Sequence, residues 1–491
     1  MKNDVVMYEK VYKILKNKIE CGLLPGGMKL PSRANLCREF QTSEKTIRRA
    51  LKMLEQEGFV ETMKRRRPVV AYHYADPYHA GVLSLEKADA SAANDILKTG
   101  VLLCYPVNGK GMALCNGEEW QIPDTIVGQM DPEKPTEFWR LSNRLWRFFI
   151  SRNENEFILR AVDSLGFAEL DPLPGTHEMR EVYLSALKEL IHTLKAGGNP
   201  QEVHFDDLFE LYRFLTESAE EVPVRRVRPD SPMRVGTKGL EQTLRRGQER
   251  YSSVYLDLLG LIAVGYYQPG ERLPSHEELQ SMYNVSIDTT IKAIQTLQEW
   301  GVVTATRGKG IYVAMDLEDL QKIEIDPQLI ASHVRRFLDC LELLSLTIEG
   351  VAVHAAAYVT AEEAEALHNE LRRRWEEEYV YHVSPSIVLN FIAEHIQFQA
   401  LKDIYAVVKK DYCIGRSIPK LVNKEKSPKT TEIHRQCMEA VKVLQRGDNV
   451  LFGRKAAEMF LYTHELTVSE CKRMGYWEAA MEVYDGTLLW K

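Results

Sequence analysis

At 491 residues, with 45% hydrophobic and 27% charged side chains, the chain has ordinary globular composition, and its length predicts about three or four domains. Eight scattered cysteines without a CxxC pair argue against a disulfide framework or a structural zinc site, and point to reduced thiols in a cytoplasm. The net charge of −7 is uneven: residues 1–72 carry 16 Lys/Arg against 8 Asp/Glu, which is +8, so the remainder carries −15, and a basic head on an acidic body is the footprint of a nucleic-acid module.

From the N-terminus, Val11, Ile14, Leu15, Ile19 and Leu23 recur at helical spacing, and LLPGG ends that helix with Pro25 and two glycines. In LPSRANLCREF, Ser32 follows Pro31 and caps a second helix with Leu36, Cys37 and Phe40 on one face. Ser43 then caps SEKTIRRALKMLEQEG, whose buried stripe is Ile47, Ala50, Leu51 and Leu54 and whose end is Gly58. FVETM and PVVAY, separated by KRRR, read as a two-stranded hairpin. Residues 1–72 are therefore expected to form a winged helix–turn–helix, with the third helix in the major groove and its first turn nearest the bases. Its solvent face offers Glu44, Lys45, Thr46, Arg48 and Arg49. Ser32, Arg33 and Ser43 flank it, and the wing adds Lys64, Arg65, Arg66 and Arg67.

Residues 73–222 are Ala/Leu/Glu-rich and helical by periodicity, as in THEMREVYLSALKELIHTLKAGG, and predict an all-helical domain. The Pro- and Arg-rich VPVRRVRPDSPMRVGTK marks a linker, placed at 223–245. Then the opening phrase returns: KLPSRANLCREF (29–40) pairs with RLPSHEELQSMY (272–283) at a shift of 243. The register holds from Tyr8/Tyr251 to Ala71/Ala314, with 19 identities in 64 pairs. Solenoid units run to roughly 20–50 residues, so this repeat is a second small domain, 246–315, and another winged helix. Here Ser275 and Glu278 form a capping box, Ser286 caps the third helix, and its outer face reads Ile287, Asp288, Thr289, Ile291, Lys292. Thr290 lies beside them, and the wing TRGKGIYV sets Arg307 and Lys309 around Gly308, which permits a tight turn close to a backbone. The span 236–314 has 8 charges of each sign and is neutral, so copy one is expected to supply most of the DNA affinity.

Residues 316–491 again read as an all-helical domain. Its most apolar stretch, 338–359, holds Asp339, Glu342 and Glu349, which makes it a buried helix instead of a membrane span. No secretory signal is expected at the start of the chain. Setting TLKAGGN (193–199) on VLQRGDN (443–449) brings LYRF (211–214) onto LYTH (461–464), a shift of 250, which predicts that the whole unit of winged helix plus helical domain is duplicated. The expected fold class is mainly α: two winged helix–turn–helix domains, each with a small β wing, and two helical bundles.

LPS at 30–32, SEKTIRRAL at 43–51 and EGFV at 57–60 resemble the GntR family of bacterial transcription regulators, with Arg48 on the family's arginine. Copy one departs where RRRP replaces the wing glycines, and copy two where Ile291 replaces the arginine; Ala34 and Glu277 stand where the family has an arginine after LPS-x. Winged helix followed by helical domain is similar to the FadR subfamily, with Glu349 on a usual glutamate and EIHRQCMEAVKVLQRGD on a later histidine helix. That resemblance implies a domain for small carboxylates, in many members through a metal held by an Asp and three His. Asn143, Arg147 and Phe214 stand near those places in the first helical domain, whereas the second keeps His434 and His464, with His395, and no clear Asp. The expectation is a small organic-acid effector near these three histidines, with no metal and no cofactor.

The function that follows is a regulator of transcription bound to a double-stranded DNA operator, as a monomeric pseudo-dimer or a homodimer. A rival is a GntR-type winged helix fused to a pyridoxal-phosphate aminotransferase-like enzyme. The second LPS repeat interrupts the place such a domain would occupy, and neither a Gly-rich phosphate loop nor a GxSxG elbow is found. The alternative kept open is a winged-helix scaffold with reduced DNA binding.

Overall fold

The computed structural model describes residues 8–71, 85–165, 177–197, 221–225, 249–323, 327–376, 383–421 and 426–482, apart from short gaps within these spans. The chain forms two units that part at residue 240. In the first, the described positions between 8 and 19 are helical and bury Tyr8, Val11, Tyr12, Leu15 and Ile19. Helix α1 (Arg33–Glu39) is capped by the Ser32 side chain, which accepts from the Asn35 amide; α2 (Glu44–Gln56) is capped by Ser43, which accepts from the Thr46 amide. Gly58 then turns the chain at φ +75°, a region that favours glycine. Strand β1 (Val60–Glu61) pairs antiparallel with β2 (Val69–Val70), and Lys29 bridges to Val69. The core joins Val11, Leu15, Leu36, Phe40, Ile47, Leu51, Leu54, Val60 and Val70.

The rest of this unit comprises β3 (Leu85–Asp89), α3 (Ala90–Ala113), α4 (Gln121–Gly128), α5 (Pro135–Ser151), α6 (Glu156–Asp163), α7 (His177–Lys195) and β4 (Glu221–Arg225). Its core is aromatic, with Phe138, Trp139, Phe148, Phe149 and Tyr183 all buried. The Trp146 indole N–H donates to the Tyr183 hydroxyl at 2.8 Å, so the phenol is satisfied inside the core. The expectation of an all-helical domain over 73–222 needs one correction, because β3 and β4 pair antiparallel. EVPVR had read as the start of a linker. In a two-stranded ribbon each strand keeps a free edge, so Pro223 can be accommodated despite lacking an N–H.

The second unit opens with α8 (Glu249–Ala263), β5 (Arg272–Leu273), α9 (His276–Tyr283), α10 (Ile287–Glu299), β6 (Val303–Thr306) and β7 (Gly310–Val313). Its sheet has three strands in the order β5-β7-β6, one more than the hairpin read from sequence. The extra strand is Arg-Leu of RLPS, where the residue before proline is held extended. A bundle follows: α11 (Pro327–Ala356), α12 (Ala361–Glu376), α13 (Ser384–His395), α14 (Gln399–Tyr412), a 3₁₀ turn (Cys413–Ser417), α15 (Pro428–Gln445), α16 (Asn449–Arg473) and α17 (Tyr476–Glu482). Helices α11 and α16 cross closely, because a Cβ on Gly453 would lie 2.7 Å from the Glu349 carbonyl oxygen. Among the described residues no helix is long and apolar enough to cross a membrane. At the 250-residue shift, α7 and α15 both end before a left-handed glycine, Gly197 at φ +88° and Gly447 at φ +77°.

Helix α8 is buried at every position from Val254 to Ile262. Apart from Asp257, which accepts from the Tyr283 hydroxyl at 2.7 Å, these positions are apolar, and a helix so covered needs neighbours on several sides; here one side faces its own winged helix while the 413–417 turn packs against it from the bundle. Copy one has Lys13, Lys16 and Lys18 where copy two has Leu256, Leu259 and Leu261. Next to the turn, Arg336 forks onto Asp411 with Nε–Oδ2 3.0 Å and Nη2–Oδ1 2.5 Å, and Asp411 is 1% exposed. Gly415 gives the Phe337 ring its place, since a Cβ there would come within 2.6 Å of it.

Candidate nucleic-acid interface

In copy one, the cap and first two turns of α2 leave Ser43, Glu44, Lys45, Arg48 and Arg49 exposed. Arg48 and Glu44 pair at 2.9 Å across one turn, with 66% and 58% of their side chains exposed. Such a surface pair contributes only about 0.3–0.5 kcal/mol, so it holds Arg48 weakly. Two residues expected on this face are turned elsewhere. Thr46 is buried, its hydroxyl 2.9 Å from that of Ser43. The Arg49 guanidinium sits 3.7 Å from the centroid of the Tyr8 ring and so is held against the first helix. Ser32 and Arg33 are half-buried at the start of α1. In the wing, Arg66 is exposed, and Arg67 donates through Nε to the Leu30 carbonyl at 2.9 Å, fastening the wing to the segment before α1. Lys64 and Arg65 lie outside the described residues.

Copy two builds the same frame from different chemistry. The Ser275 amide donates to Glu278 at 2.7 Å, and the Glu278 amide to the Ser275 hydroxyl at 3.3 Å. That backbone bond holds the Glu278 carboxyl below the usual range. Ser286 caps α10 through the Thr289 amide, and Thr289 is half-buried with its hydroxyl 2.9 Å from that of Ser286. Thr290 is fully buried; it occupies the register of Ile47, which explains why it does not face solvent, and its hydroxyl bonds to the Ile287 carbonyl. The exposed positions are Ile287, Asp288, Ile291 and Lys292 on the helix and Lys309 beside Gly308 on the wing; Arg307 lies outside the described residues. In copy one the Tyr12 hydroxyl and Lys16 both bond Glu57, at 2.7 and 3.0 Å. Copy two replaces that network with an edge-to-face pair, Tyr255 on Trp300 at 5.2 Å.

The three candidate effector histidines are not brought into one cluster. His434 stacks on Trp375 at 4.2 Å and 7°, with Nδ1 2.9 Å from the Ser384 hydroxyl. His395 stands at the opposite end of α13 from Ser384, about 16 Å away at 1.5 Å per residue. Its ring nitrogens lie 2.9 Å from the Phe391 carbonyl and 3.4 Å from Glu363. His464 is half-buried on α16. Among the described residues, no three His, Cys, Asp or Glu side chains are grouped to hold a metal.

Burial first, and then the Lys426 cation, push the His434 imidazole down to about 4. Because the folded value lies below the unfolded one near 6.5, the neutral ring contributes stability above pH 6.5 that is lost as pH falls toward 4. Urea midpoints at pH 7 and pH 5 should therefore differ more for the native chain than for His434→Phe, which keeps the stack and cannot titrate. The same pH slope in both proteins would contradict this.

The family model described as bacterial regulatory proteins, gntR family, matches residues 7–70 and 250–313. Over 63 residues the chain is 44% identical to an Escherichia coli (strain K12) protein named "Probable fructoselysine utilization operon transcriptional repressor", covering 13% of this chain and 26% of that one. It is 32% identical over 73 residues to the HTH-type transcriptional regulator YdeL of Bacillus subtilis, covering 15% of this chain and 16% of YdeL. The chain thus spans about a quarter or less of the length of these relatives. A solved Streptococcus agalactiae GntR aligns with 44% of this chain and 99% of its own, at 18% identity and a TM-score of 0.19. The polypeptide therefore carries two helix–turn–helix domains of the GntR family, residues 7–70 and 250–313.

Proposed function

We propose that this chain is a transcription regulator that binds a double-stranded DNA operator with two unlike heads. The observation that supports it is the presence of two winged helices, each with a Ser-capped recognition helix whose first turn is exposed, in both stretches that match the family. Two covalently joined heads can occupy half-sites about 34–36 Å apart, a spacing that ordinarily takes two subunits. Duplication of the whole unit, winged helix plus helical domain, would make the chain a pseudo-dimer, and the matched helix ends at Gly197 and Gly447 support this. We extend the reading to control by a small organic acid bound in the bundle of 316–491, as in FadR-like regulators. The support there is Lys426, 4.7 Å from the Trp375 ring that His434 stacks on, which sets a cation beside a ring and a hydroxyl.

Selection of binding sites from random DNA with the purified full chain, followed by sedimentation on the shortest tight duplex, tests the proposal. An imperfect palindrome with one chain per duplex is expected. Two chains per duplex would replace the pseudo-dimer by a homodimer, and no enriched sequence would favour a scaffold. A thermal-shift screen of carboxylates on the native chain and Lys426→Ala tests the effector: ligands that stabilise both equally would move the site elsewhere.

A further inference from the structure

The 243-residue register places Ile287 and Ile291 on Glu44 and Arg48. One head thus presents an ion pair across the first two turns of its recognition helix, and the other presents two isoleucines on the same face. These isoleucines are not core residues that have slipped outward. The core stripe of α10 is Thr290, Ala293, Ile294 and Leu297, whereas Ile287 and Ile291 are 45% and 37% exposed. The helix start is fixed by the Ser286 cap, so the first turn is preorganised in the same way as in copy one. Charged groups flank the pair. Lys292 follows it and Lys309 stands on the wing, both exposed and suited to phosphate, while Asp288 is an exposed acceptor between the two isoleucines.

We propose that the copy-two head reads thymine, with Ile287 and Ile291 packed on C5 methyl groups in the major groove; this rests on the DNA-binding function proposed above. The first turn of a recognition helix is the part that meets base edges, and the thymine methyl is the apolar feature those edges offer. An isoleucine placed over a G·C pair would instead cover polar base-edge groups without pairing them, which is costly. Side chains four apart on a helix lie about 5–6 Å from each other, which spans one to two base steps of about 3.4 Å. The pair therefore fits two thymines close together on the groove. Asp288 complements this choice by accepting from an exocyclic amino group, adenine N6 or cytosine N4. Copy one, with Arg48 at the same register, is the guanine-reading partner. The two halves of the operator then differ in base composition as well as in stringency.

Uracil lacks only the C5 methyl of thymine, so it gives the direct test. The selected operator is made with uracil for thymine in one half-site at a time, and the full chain is titrated on each. Arg48→Ala identifies which half belongs to copy one. Uracil in the other half is expected to weaken binding roughly fourfold for each methyl contacted, while uracil in the copy-one half has a smaller effect. Ile287→Ser with Ile291→Ser should abolish the difference between thymine and uracil, and Ile287→Val with Ile291→Val should keep it. Equal affinity for thymine and uracil duplexes, with DNA binding intact, overturns the inference and leaves the function standing. So does a serine variant that binds DNA normally but changes oligomeric state, since the pair would then be a protein contact. Failure of any sequence to be enriched overturns the function and this inference together.

Discussion

Replacing Lys45 and Arg48 by alanine should lower operator affinity roughly 10- to 100-fold and flatten its salt dependence, whereas Thr289→Ala with Lys292→Ala should cost only a few-fold. Arg48 is 66% exposed near the start of α2, paired with Glu44 across one turn, and Lys45 is exposed beside it. A bidentate arginine–guanine contact is worth about 1–3 kcal/mol of discrimination, and each lost phosphate contact lowers the slope of log K against log salt by about 0.9. Copy two has Lys292 alone among basic residues on the corresponding face, and the Thr289 hydroxyl is engaged with Ser286. Arg49 is expected to matter less than its charge suggests, because its guanidinium lies on Tyr8. Anisotropy titrations at three salt concentrations check this, and equal losses from the two double variants would refute the inequality of the heads.

The second large effect is on stability. Arg336→Leu should destabilise the full chain by about 3–5 kcal/mol, the usual result of leaving one member of a buried ion pair without its partner. Asp411 is 1% exposed, and both its oxygens are taken by the Arg336 fork. Adding Asp411→Leu to Arg336→Leu should recover most of the loss, because an apolar pair of similar volume removes the uncompensated charge. Urea midpoints of the two variants decide it; a loss under about 1 kcal/mol for the single change would show that water reaches the carboxylate.

The winged helices were legible because local chemistry specifies them. Ser32, Ser43, Ser275 and Ser286 cap helices whose apolar spacing marks the inward face, and Gly58 and Gly301 end α2 and α10 with positive φ. What stayed hidden depends on neighbours in space. Thr46 and Thr289 each stand three residues past a cap serine with hydroxyls 2.9 Å apart, yet Thr46 is buried and Thr289 half-buried, so Thr46 could not be placed from periodicity. Tyr8 and Arg49 meet from two different helices. The β3–β4 pairing joins residues about 136 apart, beyond the reach of turn signals. Histidine spacing along the chain likewise does not reveal that Ser384, and with it His434, lies at one end of α13 and His395 at the other. The substitution of leucines for Lys13, Lys16 and Lys18 was visible in sequence, yet nothing local says what would cover the new apolar side.

That cover has a mechanical meaning. Lifting the copy-two head away from the 413–417 turn would return one side of α8 to water, and each leucine re-exposed there costs about 1.5–3 kcal/mol. A ligand that couples two sites typically has about 1–3 kcal/mol at its disposal, too little to pull such a joint apart. The copy-two head and the bundle are therefore expected to stay joined where α8 meets the turn that ends α14.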